Sequence, residues 1–247
     1  MKSSTKLLVA TTILALLAPS LRAGGTLKEA RDTWLKGNYD EAQEIYSALL
    51  KDAKLRVPAS IGLSKALQSE GEYDEALGVL DAALKDAPKD LDLLARRAEL
   101  LHYRGQWDDA EKTAQKVVAE KEDHFLARYV LAMLERERGN LAAADEQFRW
   151  FVRTYTKRNN DDKDITDADE LLLVGLAAAE YARYHHQSDQ FDFLVNELFP
   201  DALKKDKLFW QAAYEPGRIF QEKHNKAAAE RAYTRTLALN PRAAEVF

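Results

Sequence analysis

The sequence predicts an all-α protein, an α-solenoid of about six helix-turn-helix units. Three observations predict it. A six-residue signal (glycine, a spacer, an aromatic or leucine, two further residues and alanine) sets its glycines at 37, 71, 105 and 139, three successive steps of 34. Small residues keep the same phase seven places before each glycine, at Ala30, Ser64, Ala98 and Ala132. The 247 residues are 46% apolar with no cysteine, so a core can form but no disulfide can staple it. A fixed period of this length marks stacked repeats, each burying apolar surface only against its neighbours.

Along the chain, residues 1–23 read first as a secretory signal peptide. Lys2 and Lys6 give a basic start, Leu7 to Ala18 a twelve-residue apolar run, and Pro19 and Ser20 a break before Ala23. Cleavage is expected ahead of Gly24, with a cut after Ser20 as the alternative. Twelve apolar residues make roughly 18 Å of helix against a ~30 Å hydrocarbon core, too short to span it. The expectation is an exported chain, periplasmic or extracellular, with no transmembrane span after cleavage. Loss of Lys2, Lys6 and Arg22 moves the net charge from −5 to −8, with 33 basic residues against 41 acidic. Nucleic acid is not an expected partner, because the chain lacks the basic footprint that displaces counterions from phosphates.

Residues 24–156 form four regular units. Each periodic glycine ends a first helix, at a left-handed position that costs any residue with a side chain. Ala42, Ala76, Ala110 and Ala144 then let the second helix approach closely, and Tyr46, Leu80 and Phe148 fill the space between units. Pro88 closes one second helix, while Lys54, Glu122 and Thr156 stand at the matching places in the others. Residues 157–170 read as a charged insertion loop, after which the register slips. Residues 171–241 hold two degenerate units. The first turns at Asp189 with Ala182 as its small residue; the second has Gly217, His224 at the turn, Ala229, Tyr233 and a closing Pro241. Residues 242–247 read as the start of a further helix. That leaves an uncapped end, the mark of a truncated chain or of a surface for self-association.

These motifs are similar to those of the tetratricopeptide repeat family, whose unit is a 34-residue antiparallel helix pair. The resemblance implies a right-handed superhelix with first helices lining a concave groove, and a role in binding protein or peptide partners. The groove positions it implies are Arg31, Trp34, Lys65, Arg96, Glu99, His102, Tyr129, Met133 and Arg136. Their basic and aromatic character suggests an acidic extended or helical segment, with Arg96, Arg136 and Lys65 for charge and Trp34 and Tyr129 as anchors. The opposing expectation is that these residues are solvated and that Trp34 packs on a neighbouring helix. The family's clamp for a chaperone tail is not expected, since Leu27, Arg31, Ile61 and Lys65 occupy places that need lysine and asparagine.

No catalytic residue, cofactor site or metal site is expected. A calcium loop starting at Asp162 would need glycine and glutamate where Asp167 and Leu173 stand. His185 and His186 are adjacent, so on a helix they point about 100° apart and do not chelate together. No glycine-rich phosphate loop or nucleophile elbow is present. The function expected is an exported scaffold for protein–protein interaction. The alternative is the N-terminal repeat region of a larger exported enzyme, such as a peptidase, with its catalytic domain beyond residue 247.

Overall fold

A computed structural model describes residues 25–247, and the leader read at residues 1–23 lies outside them. Among the described residues the chain is helical, without strands: α1 (Leu27–Leu35), α2 (Tyr39–Leu49), α3 (Arg56–Gln68), α4 (Tyr73–Asp86), α5 (Leu91–Tyr103), α6 (Trp107–Glu120), α7 (Phe125–Glu137), α8 (Leu141–Asn160), α9 (Ala168–Tyr184), α10 (Gln190–Phe193), α11 (Phe199–Lys205), α12 (Trp210–Glu222) and α13 (Lys226–Leu239). They stack as antiparallel pairs. Each pair's first helix also touches the next one's: α1 on α3, α3 on α5, α5 on α7, α7 on α9 and α9 on α12.

Local chemistry sets the helix ends. Side-chain oxygens of Thr26, Asp90 and Asp167 accept the backbone N–H groups of Glu29, Leu93 and Glu170, starting α1, α5 and α9. The four periodic glycines stand at φ between +72° and +86°, where a side chain would cost about 1–2 kcal/mol. The residues after them, Asn38, Glu72, Gln106 and Asn140, donate back to carbonyls of Thr33, Leu67, Leu101 and Glu135 and tie off each helix. Ala30, Ser64, Ala98 and Ala132 are all fully buried, which lets each second helix close in. Tyr46 fills the step to the next unit so tightly that a Cβ on Gly62 would lie 2.2 Å from its ring.

Two expectations move in the irregular half. The fifth turn is not at Asp189. His186, three residues earlier, takes the left-handed conformation at φ +55°, which makes Ala179 rather than Ala182 the small residue seven places before it. His224 turns the sixth unit at φ +58°, as expected. Histidine is among the side chains most often found there after asparagine and aspartate. The expected insertion loop at 157–170 is also shorter, because α8 continues to Asn160 and helix resumes at Ala168. Arg158 steadies the extra turn, lying 5.1 Å over the Phe125 ring and pairing with Asp123 and Glu170. Between α10 and α11 the helix widens into a π-turn, Leu194–Leu198. Pro200 follows at once; it has no N–H to offer the preceding turn, and its ring crowds the carbonyl four residues back.

The expected uncapped end is covered. Residues 242–247 do not begin a further helix but make one 3-10 turn, Ala244–Val246, after docking on the first pair. Asn240 donates to the Tyr39 hydroxyl at 2.9 Å, and Arg242 lies 4.7 Å over the Tyr39 ring. The reason is a charge mismatch in the repeat. Arg104 and Arg138, each just before its glycine, reach back to Asp74 and Asp108 of the preceding unit. The equivalent pair in the first step is Glu70 and Asp40, two carboxylates. Arg242 supplies the missing cation, 2.8 Å from Glu70 and 3.9 Å from Asp40. The first and last units therefore meet, and the solenoid closes on itself.

Gly37 carries both a positive φ and this contact, since an added Cβ would lie 2.3 Å from the Asn240 side-chain oxygen, whereas Gly105 has open space. Urea unfolding should show Gly105→Ala losing about 1–2 kcal/mol and Gly37→Ala losing more; equal losses would refute the docking. Arg242→Glu should set three carboxylates together and lengthen the maximum dimension in small-angle X-ray scattering.

Candidate functional site

First helices α1, α3, α5, α7, α9 and α12 bring side chains to an inner face, and the residues expected in the groove lie on the first four. The structure shows what holds each of them. Arg31 binds Asp169 at 2.8 Å and Asp206 at 2.9 Å, with its guanidinium 5.4 Å over Phe209. Lys65 binds the other oxygen of Asp169 at 2.8 Å and lies 5.6 Å over Trp34. Trp34 is only 6% exposed, and its Nε1 donates to the Ser69 hydroxyl at 2.9 Å. It therefore packs on the neighbouring helix and offers no open anchor. Arg96 is 2% exposed, donating to the Ser64 hydroxyl and carbonyl, to Gln68 and to Glu99. Arg136 pairs with Glu180 at 3.3 Å and lies 3.7 Å from the Met133 sulfur.

Every cation expected to meet an acidic partner is thus occupied by the chain itself. The sequence shows that these positions are basic, but not which carboxylates the later helices return to them. Burial alone would raise the Asp169 carboxyl, yet Lys65 and Arg31 beside it hold it at about 2. Burial opposes the Arg31 charge, and Asp169 and Asp206 more than compensate, so its pKa rises. The Glu215 carboxyl on α12 is pushed up by burial against the pull of Arg218.

Two cavities open on this face. One of about 360 Å³ lies between α3, α5, α7 and the start of α9, with Lys65, Arg96, His124 and Asp169 among its walls. The other, of about 430 Å³, lies between the end of α5, the start of α6 and α7. Glu99, His102, Tyr129 and Met133, all expected in the groove, line the second. Tyr103, Trp107 and Glu137 join them and were missed. Tyr103 and Glu137 hold the same place in successive units, two residues before the periodic glycine, and Trp107 opens the following helix. His102 bonds Glu137 at 2.8 Å across the gap between α5 and α7.

Among the described residues no cluster of three or more His, Asp or Glu side chains could hold a metal ion. His185 bonds the buried Asp145 at 2.7 Å and packs 4.3 Å from the Tyr181 ring, while His186 sits in its left-handed turn. Among the described residues no helix is long and apolar enough to cross a membrane.

The sequence profile of the tetratricopeptide repeat family matches residues 34–100 and, one unit later, 67–134. No curated protein matches the sequence. Among solved structures, the human IFIT1 dimer with PPP-AAAA is similar at 17% identity and a TM-score of 0.53, over 81% of this chain and 45% of that one. The Cut9 and Hcn1 hetero-tetramer of APC/C gives 15% identity and a TM-score of 0.51, over 85% and 38%. MamA from Desulfovibrio magneticus RS-1 gives 19% identity and a TM-score of 0.39, over 76% and 96%. At these identities the likeness is one of fold. The chain resembles the tetratricopeptide repeat family and is an α-solenoid.

The depressed Asp169 carboxyl gives this face a pH dependence. An unfolded aspartate titrates near 3.9, so the stability Asp169 contributes is fully present above about pH 4 and is lost as pH falls from there toward 2. With 36% of its side chain in water, the contribution is on the order of 1 kcal/mol. Urea titrations at pH 6 and pH 3 should show Asp169→Asn costing stability at the higher pH and much less at the lower. A constant difference would dissociate Asp169 from the closure.

Proposed function

We propose that the chain is an exported repeat scaffold that holds a protein or peptide partner against its inner face and performs no catalysis itself. The observation that carries this reading is the inner face, a preformed surface whose charged side chains are already fixed by partners on distant helices. A surface ordered before binding loses little conformational entropy when a partner arrives. The repeat architecture supports the same reading, because stacking leaves one long concave face for contact. The cations of that face are matched by internal carboxylates, so the proposal carries no preference for an acidic partner. Export rests on residues 1–23 alone, through the basic start, the apolar run and the small residue before Gly24.

Two experiments test it. Intact mass of the protein recovered from the envelope fraction should correspond to a chain beginning at Gly24; a chain retaining Met1 in the cytoplasm would refute export. Photo-crosslinking from position 133, where Met133 faces the inner cavity, should trap a protein that position 112 on the outer helix α6 does not. Equal trapping at both positions, or none at either, would sink the scaffold reading.

A further inference from the structure

The cavity between α5, α6 and α7 has a composition that the repeat requires only at Trp107. Tyr103, Trp107 and Tyr129 line it together with Met133, Glu99 and Glu137, and no lysine or arginine is among its walls. One unit earlier, the places of Tyr103, Tyr129 and Glu99 are held by Ser69, Ala95 and Lys65. Trp107 holds the repeat's own aromatic place, as Tyr73 does one unit earlier, but the Tyr103 and Tyr129 walls and the Glu99 rim are particular to this step of the solenoid. Tyr103 is 56% exposed and Trp107 36%, unusual for large rings in a chain that buries Trp34 and Tyr39 almost fully. Among the described residues neither the Tyr103 nor the Tyr129 hydroxyl has a hydrogen-bond partner. Gly105 at the mouth has no neighbour within 4 Å of where a Cβ would stand, so the entrance is open.

The charge of the site points one way. Glu99 is fixed from behind by Arg96, whose buried guanidinium turns to Ser64 and Gln68, while Glu137 is fixed by His102. Burial raises the Tyr129 hydroxyl, with Glu180 and Glu215 adding to it and Arg136 opposing. Electron-rich ring faces beside fixed carboxylates attract a cation and give a neutral apolar group less. A cation over an aromatic face gains about 0.5–2 kcal/mol depending on its desolvation.

We propose that this cavity receives a basic side chain, lysine or arginine, of the partner polypeptide, seated between Tyr103, Trp107 and Tyr129 with Glu137 as its counter-charge, Glu99 being already paired with Arg96. The proposal rests on the scaffold reading of the inner face and names the group that face selects. A partner segment passing along α5 and α7 would set one such side chain into the cavity while its backbone stays in the groove.

The test uses five acetylated, amidated pentapeptides, with alanine at all positions except a central lysine, trimethyl-lysine, arginine, norleucine or glutamate. Each is titrated into the 15N-labelled chain. The four tryptophans give four indole N–H signals, and Trp107→Phe identifies one by its loss. The lysine, trimethyl-lysine and arginine peptides should shift the Trp107 signal saturably, with the norleucine peptide binding about tenfold more weakly. Glu137→Gln and Tyr103→Ala should each weaken the lysine peptide by about three- to tenfold. The Trp34 signal, locked to Ser69, should stay in place and report that each variant is folded. Equal response to norleucine, a preference for glutamate, or no saturable shift at Trp107 overturns the proposal. A response at Trp107 without any crosslinked partner would keep this site and remove the scaffold reading, so the two failures are distinct.

Discussion

The register of the closure depends on Arg31, whose guanidinium is gripped by Asp169 at the start of α9 and by Asp206 after α11. Ion pairs at this depth are worth at most about 1 kcal/mol each, so their strength alone does not hold the ends together. Apolar continuity does more. One buried cluster joins Ala30, Trp34 and Tyr39 of the first unit to Phe209, Trp210 and Ala243 of the last, while the middle units keep two separate clusters of their own. Burying a single large side chain contributes about 1.5–3 kcal/mol, which exceeds any one pair. Burial supplies the energy, and the ion pairs decide the register in which the ends meet.

An open solenoid frays from its ends, because a terminal unit has one neighbour where internal units have two. Here the first unit gains a second neighbour from the last. The consequence for the inner face is order: Arg31, Lys65 and Asp169 come from three different helices and hold one another in place. A partner of the kind proposed would meet fixed charges and fixed aromatic rings, with little left to reorganise on contact.

Much of the regular half was legible because its constraints are local. A left-handed turn calls for glycine, and a close helix crossing calls for a small residue, whatever happens elsewhere in the chain. The closure was not legible in that way, since the partners of Arg31 lie far down the sequence and no periodicity links them. One trace of it was present. Glu70 facing Asp40 breaks a pairing that Arg104 and Arg138 observe, and a like-charge step in a repeat asks for a cation from outside it. The groove cations were legible as basic residues but not as occupied ones, because the carboxylates that pair with Arg31, Lys65 and Arg136 come from α9 and from the residue after α11, far along the chain. His186 hid the fifth turn, since a histidine in a left-handed turn leaves no mark that glycine would.

The departures from the 34-residue period are also the parts that close the structure. The connection after α8 supplies Asp167, which caps α9, and so sets Asp169 in the first turn of that helix to reach across to Arg31 and Lys65. The π-turn at Leu194–Leu198 adds length to the fifth pair's second helix, and the chain leaves α11 at Asp206 and Phe209, the two residues that meet Arg31. A further pair in strict register would stack onward along the same superhelix and leave its last unit exposed. Irregularity in the last two pairs instead turns the stack back toward its own first helix. A local change that restored the period, such as removing residues from the 161–167 connection, would withdraw Asp169 from Arg31 even with every repeat residue kept. The regular units build the wall of the inner face, and the irregular ones fix its curvature.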